Sequence, residues 1–335
     1  MNEEVLFYEM DLDGDGRLSR DDIRHAAVLF GWEWQQASLY AVLDLMTIRG
    51  PIDMETFIAY MTRLSRDPDG PYGEVLRMVT KSLDMEGRRN TDIAGGKGAS
   101  GSGAAWSGAG MERIIDRLER ALGESGSGDF RAALKRLNTS RLQVKSDETA
   151  LLVIDPQRSF TEGSWKLSLG ADGEREVSPI EAAFDNCVDL LKAVYHRSHV
   201  MFTRCPFPPD SYGWDERFEG LIDADQFYFI KPGNCVLLPA TNGFREWLDG
   251  MISGGKNTLV MGGCTLNSCL RISSLETLSA FRDAGLNIIV DLSISGARAG
   301  NYVNSQQFGG VSAVEMAIRQ MDTEGVKVTE GVEWT

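Results

Sequence analysis

Three absences narrow what this sequence can do: it has no Lys/Arg cluster, no long apolar run and no repeated cysteine spacing. With 34 basic against 49 acidic residues the formal charge is -15. Such a chain repels phosphate backbones and anionic lipid unless a local basic patch compensates, so neither nucleic acid nor a membrane surface is an expected partner. The first residues, MNEEVLFYEMDLDGDG, are acidic, and no stretch approaches the roughly 20 apolar residues that span a bilayer. The chain reads as soluble, unexported and cytoplasmic. Its five cysteines (Cys187, Cys205, Cys235, Cys264 and Cys269) all lie in the second half, an odd count without C-x-x-C pairs. That pattern excludes a disulfide framework or a structural zinc site and points to reduced thiols, one of which could be reactive.

What is present is ordinary for a folded protein, with 42% apolar and 25% charged residues, enough to bury a sizeable core. A length of 335 residues exceeds one typical domain of roughly 100–200. Two folded units are expected. Residues 1–86 hold helical patterns around an acidic loop, with a further helix-like stretch from Pro71, and residues 87–110 form a Gly/Ser/Ala-rich linker. The Gly96-Lys97 pair in that linker is no phosphate loop, because the upstream glycine and the following Ser or Thr are missing. Residues 111–147 read as a helical connector, with Ile114, Ile115, Leu118 and Leu122 at helical spacing. Whether it packs on either neighbour is left open by its pattern.

From residue 148 to 335 short apolar runs alternate with amphipathic helices. TALLVID, HVMFT, QFYFI, NTLVMGG, LNIIVDL and VKV read as strands, and stretches beginning near Pro179, Asn242, Cys269 and Gly310 read as helices. Continuous Val/Ile/Leu runs suit strands buried on both faces, so the expected fold is a three-layer α/β/α domain around a mainly parallel six-stranded sheet. A small all-α domain is expected to precede it.

The acidic loop DLDGDGRLSRDD, residues 11–22, has the twelve-position spacing of an EF-hand. Calcium needs six to eight converging oxygens, and Asp11, Asp13, Asp15, the Arg17 carbonyl, Ser19 and Asp22 stand where they would supply them, with Gly16 permitting the sharp turn. Asp22 replaces the usual Glu, which weakens a bidentate grip and favours magnesium relative to calcium. Leu18 is the apolar residue expected to pair with a neighbouring loop. A partner hand follows, with Gly50 and Ile52 at its sixth and eighth positions, but Leu45, Thr47, Arg49 and Thr56 cannot cage a cation. That second hand is expected to be structural only.

Three residues stand at the C-terminal ends of predicted strands, the edge where α/β sheets bind ligands. Asp155 ends LLVID, Lys231 ends FYFIK, and Cys269 lies in the first helical turn after NTLVMGG. A carboxylate is costly to bury there unless it has a partner or a task. A thiol at a helix N-terminus beside a lysine is expected to ionise more readily. Together the three provide a nucleophile, an electrostatic partner and a general acid/base. Phe160, Trp165, Tyr212 and Trp214 could wall a pocket, and Arg204 could bind a substrate carboxylate or a surface acid. A free cysteine is more often a small buried hydrophobe, the reading adopted for Cys187 and Cys264. For Cys269 the company of Asp155 and Lys231 favours chemistry.

Residues 148–330, and GCTLNSCLR above all, resemble the isochorismatase-like cysteine hydrolases, with the nearest motif likeness to N-carbamoyl amide hydrolases. The resemblance implies Asp155 as general base, Lys231 as its support and Cys269 as nucleophile. It also implies a cis peptide three residues before the thiol, mapped onto Thr265 and Leu266, and an oxyanion hole from the Leu266 and Cys269 amides. Nicotinamidases of that family carry an Asp-x-His metal motif where this chain has TRCPFPPD, with Cys205 in place of the Asp, and His196 and His199 lack suitable partners. No catalytic metal is therefore expected. The implied activity is hydrolysis of a small amide or ureido substrate, with homo-oligomers common among relatives. Isochorismate-type hydrolysis and a non-catalytic calcium-responsive scaffold are the alternatives.

Overall fold

The computed structural model describes residues 7, 11, 16–19, 22, 51–59, 110–195, 198–205, 213–222, 226–231, 233–238 and 242–335. Asp13, Asp15, the helix from Pro71, the linker over 87–109, His196 and Tyr212 lie outside the described residues.

Near the N-terminus a pair of short strands, β1 (Arg17–Leu18) and β2 (Ile52–Asp53), run antiparallel with Leu18 opposite Ile52. These are the apolar eighth positions of the two expected loops. Behind them Phe7 and Phe57 meet with ring centroids 5.7 Å apart, and both are buried.

The larger unit is built on strands β4 (Thr149–Ile154), β5 (His199–Arg204), β6 (Tyr228–Ile230), β7 (Thr258–Cys264), β8 (Asn287–Gly296) and β9 (Lys327–Thr329). They form one six-stranded sheet in the order β6-β5-β4-β7-β8-β9. Every pairing is parallel. β4 is buried at every position, as its unbroken apolar run requires. Ala150, Leu152 and Ile154 join one core, together with Phe244 and Leu248 of helix α4 (Phe244–Ser253) and Val314, Ile318 and Met321 of α6 (Ala313–Glu324). Leu151 and Val153 join the other, with Ile180, Phe184, Leu191 and Val194 of α3 (Gly173–Val194). Helices thus cover both faces, and each fully buried side chain of this size contributes about 1.5–3 kcal/mol of transfer free energy. Between β4 and α3 a five-residue helix, α2 (Ser164–Ser168), carries Trp165.

α3 starts six residues before Pro179, earlier than the proline suggests. Pro179 cannot donate to the carbonyl of Arg175, and the Ser178 hydroxyl donates to it instead at 3.0 Å. Packing decides where the connector belongs. Its helix α1 (Gly110–Leu137), broken at Gly123 by a φ of 75° and ψ of 178°, buries Met111, Ile114, Ile115 and Leu118 before the break and Phe130 and Leu134 after it. α1 lies against α3, and Asn186 of α3 donates to the Gly110 carbonyl at 2.7 Å and the Ser293 carbonyl at 2.6 Å. After α1 a strand that the sequence pattern does not show, β3 (Leu142–Val144), pairs parallel with β10 (Val332–Trp334). Among the described residues no helix is long and apolar enough to cross a membrane.

Candidate active site

The chain enters the sheet at its centre, moves outward through β5 and β6, then returns to lay β7 on the other side of β4. Between β4 and β7 the crossovers therefore depart in opposite directions, leaving a crevice at the C-terminal edge where open α/β sheets take ligands. Asp155 follows β4 and Cys269 follows β7, so the two flank this crevice. Lys231 follows β6.

Asp155 has a φ of 46°, left-handed for a residue with a side chain. Its carbonyl accepts from the Gln157 N–H at 2.8 Å, closing a tight turn on the strand end. Its N–H donates to Thr203 Oγ1 at 3.0 Å, and that hydroxyl donates to Asp155 Oδ1 at 2.5 Å. The other carboxylate oxygen, Oδ2, lies 2.8 Å from Lys231 Nζ, and neither side chain is exposed. Lys231 also donates from Nζ to the Gly233 carbonyl at 2.6 Å, and its own N–H donates to the Arg204 carbonyl at 2.8 Å. A buried charge pair is tolerated when the remaining donors and acceptors are satisfied, which Thr203 and Gly233 accomplish here.

Cys269 sits within a π-helical turn, Leu266–Leu270, that precedes α5 (Arg271–Ala280). Its Sγ donates to Asn234 Oδ1 at 3.2 Å. Burial raises the thiol above its ordinary pKa; Lys231 pulls it down, Asp155 pushes it up, and hydrogen bonds from Lys231 and the Thr265 backbone lower it. The net direction is upward, opposite to the helix-terminus expectation, because desolvation of the thiolate outweighs the nearby dipole and ammonium. The upward direction favours the protonated thiol over the thiolate. Burial likewise lifts the Asp155 carboxyl, and Lys231, Thr203 and Cys269 recover only part of the shift. For Lys231 burial works against the charge, but the Asp155 carboxylate prevails and holds the ammonium charged.

The cis peptide joins Cys264 to Thr265, one residue earlier than the Thr265 and Leu266 position expected. The π-turn follows the strand end, Cys264, which stands five residues before the thiol. The Thr265 backbone amide lies close enough to the sulfur to lower its pKa, and Leu266 and Cys269, the expected oxyanion donors, stand in the turn that follows. Gly263 makes this join possible. It has a φ of +110°, and a Cβ there would stand 2.1 Å from the Ile154 carbonyl oxygen.

The loops are tied across the crevice. Gln157 donates from Nε2 to the Cys205 carbonyl at 2.9 Å and accepts the Cys205 N–H at 2.7 Å, while Trp214 bridges back to Gln157. The expected aromatic residues pack mostly on one another. Phe160 meets Trp165 edge-on at 5.4 Å, and Trp214 meets Phe202 at 5.6 Å. Arg204 lays its guanidinium 3.7 Å from the Trp214 ring centre and 4.5 Å from that of Tyr228, two cation–π contacts at the end of β5 with rings that meet edge-on. His199 starts β5 and so belongs to the opposite sheet edge. Among the described residues no group of three or more His, Cys, Asp or Glu is placed to hold a metal ion.

No family model matches the chain. No curated protein matches it either. Solved structures do. An isochorismatase-like hydrolase from Alkaliphilus metalliredigens is 14% identical over 55% of this chain and 92% of its own, with a TM-score of 0.38. An isochorismatase from Pseudomonas putida KT2440 is 14% identical over 59% of this chain and 95% of its own, at 0.40. A nicotinamidase/pyrazinamidase from Acinetobacter baumanii is 14% identical over 55% and 96%, at 0.38. Both identity and score are low in each case, so function rests on the geometry of the site.

In the N-terminal loop, Gly16 has a φ of +77°, and its N–H donates to Asp11 Oδ2 at 2.9 Å. Asp22 accepts from the Ser19 N–H at 2.8 Å and the Ser19 hydroxyl at 2.5 Å. Both carboxylates are more than nine-tenths buried, and Asp11 Oδ1 has no hydrogen-bond partner among the described residues. An orphaned buried carboxylate oxygen is what a cation would satisfy.

Proposed function

We propose that the α/β unit hydrolyses a small amide or ureido substrate through Cys269. The observation that carries this reading is the meeting of the Cys269 thiol with the buried Asp155–Lys231 pair at the sheet's crevice. A neutral thiol needs a base, and a carboxylate lifted by burial but held ionised by an ammonium is suited to accept its proton. The sulfur then attacks the carbonyl carbon, and the oxyanion forms against the Leu266 and Cys269 amides. Asp155 returns the proton to the nitrogen as the C–N bond breaks, releasing ammonia or an amine. Water, deprotonated by Asp155, attacks the thioester; the C–S bond breaks and the thiol recovers its proton.

The test is a panel of primary amides and ureido acids with the full chain and with Cys269→Ala. Turnover that Cys269→Ala abolishes, with an acyl adduct on the Cys269 peptide by mass spectrometry, is expected. Full activity in Cys269→Ala overturns the reading.

The N-terminal loop we read as a calcium or magnesium site formed by Asp11, Asp13, Asp15, the Arg17 carbonyl, Ser19 and Asp22, in support of which stands the orphaned Asp11 oxygen. Bound there, the cation would neutralise the buried carboxylates and order the hand. Calorimetric titration of the full chain with calcium should give one site that Asp11→Ala removes; no heat with either cation overturns it.

A further inference from the structure

The loop after β6 carries Lys231 and, three positions on, a second polar side chain aimed at the site. Lys231 bends this loop around itself by donating to the Gly233 carbonyl, which brings the half-buried Asn234 amide to the Cys269 sulfur at 3.2 Å. The backbone on either side of that amide is fixed from another element. Ser273 of α5 donates its hydroxyl to the Asn234 carbonyl at 3.0 Å and accepts the Val236 N–H at 3.0 Å. Asn242 then donates to the Val236 carbonyl at 2.7 Å and the Ile230 carbonyl at 3.2 Å, closing the loop at its base. A surface turn needs none of these ties. Here the scaffold holds the Asn234 backbone and presents its side chain to the thiol.

The geometry points to Asn234 as a positioning residue that holds the Cys269 thiol in its neutral, proton-bearing form and fixes the direction of its S–H bond. This rests on the hydrolase reading and deepens it. A thiol has one proton and two acceptors within reach, the Asn234 amide oxygen and the Asp155 carboxylate. While the proton points to Asn234, the sulfur is not a nucleophile; rotation of the S–H toward Asp155 commits it to transfer. Asn234 therefore acts as a resting place that keeps the thiolate from forming before substrate arrives. The other groups that bear on the sulfur are Asp155 at the end of β4, Lys231 after β6 and Cys264 at the end of β7, with Cys205 after β5 acting on Lys231.

The experiment follows alkylation of Cys269 by iodoacetamide as a function of pH in the full-length protein, read on the Cys269 peptide by mass spectrometry, for wild type, Asn234→Ala and Asn234→Asp. Loss of a neutral acceptor frees the thiolate, so Asn234→Ala should lower the midpoint and react about three-fold faster near neutral pH. A carboxylate in the same place should raise the midpoint and slow the reaction at least about three-fold. A role confined to loop structure would move both variants in the same direction or neither, and either result overturns the assignment. Should the aspartate variant fail to fold, Asn234→Ser, which keeps an oxygen acceptor on a shorter arm, should fall between wild type and alanine, and a midpoint below that of alanine overturns it. No substrate enters this measurement. Opposite shifts without amide turnover would therefore sink the hydrolase reading alone, and turnover with shared or absent shifts would sink the Asn234 role alone.

Discussion

Thr203 grips Asp155 at both ends, accepting its backbone N–H at 3.0 Å and donating to its carboxylate at 2.5 Å. One β5 hydroxyl thereby stabilises the left-handed turn and the ionised form of the carboxylate. In Thr203→Val both bonds vanish. The Asp155 pKa, already raised by burial, should rise further because a lowering contact is removed. A base works only when ionised, so activity should climb with pH, and the acid limb of kcat/KM should move up by about half to one pH unit. The unsatisfied buried N–H should cost about 1–3 kcal/mol in a denaturant titration.

The Asp155–Lys231 pair predicts a thermodynamic cycle. Asp155→Asn and Lys231→Met each strand a partner charge with no exposure to water, and each should destabilise by about 3–5 kcal/mol. The double variant should recover a large part of the sum, because no uncompensated charge remains. Additive losses in thermal unfolding would show that the pair is not coupled.

Gly263→Ala should be among the most damaging single-methyl changes in the molecule. The new Cβ would meet the Ile154 carbonyl at 2.1 Å from a backbone with φ of +110°, so β4 and β7 must separate where the crevice forms. Destabilisation above about 2 kcal/mol is expected, with Cys269 alkylation altered even in protein that stays folded. A melting temperature unchanged from wild type would contradict it.

Asp291 links pH to stability away from the site. It is fully buried in β8, accepts from the Ser293 N–H and hydroxyl and, through Oδ2, from the Val332 N–H at 3.0 Å, and its pKa is pushed by burial to about 6 from 3.8. A carboxyl with a raised folded pKa contributes stability that is complete below its unfolded value and is lost as pH rises through about 6. The penalty of Asp291→Ala should therefore grow on acidification, by about 2 kcal/mol between neutral pH and pH near 4. A penalty independent of pH would refute the assignment.

The sheet, and the places of Asp155, Lys231 and Cys269 beyond its strand ends, were legible because buried parallel strands are unbroken apolar runs and these polar residues follow them. The supporting residues were not. Thr203 looks like one more β-branched strand residue, Asn234 after Pro-Gly looks like a turn residue, and Ser273 looks like any helix serine; only three-dimensional proximity distinguishes them. The strands β3 and β10, which form a separate two-stranded sheet, were not legible in the pattern. The cis bond, placed at Thr265 and Leu266 by resemblance alone, falls one residue earlier, and nothing in the local residues marks it.

The return of the chain to lay β7 beside β4 also sets when the site can exist. Asp155, Thr203, Lys231 and Asn234 come from the half made by β4, β5 and β6, and Cys269 and Ser273 come from the segment after β7. Neither half alone brings the Cys269 thiol to the Asp155 carboxylate, and every contact between them spans a long stretch of sequence. Contacts of that kind close late in folding because the intervening chain must be ordered first. In a refolding experiment the slow-down of Cys269 alkylation to its native rate thus serves as a clock for the joining of the two halves, and it should lag the recovery of helical circular dichroism.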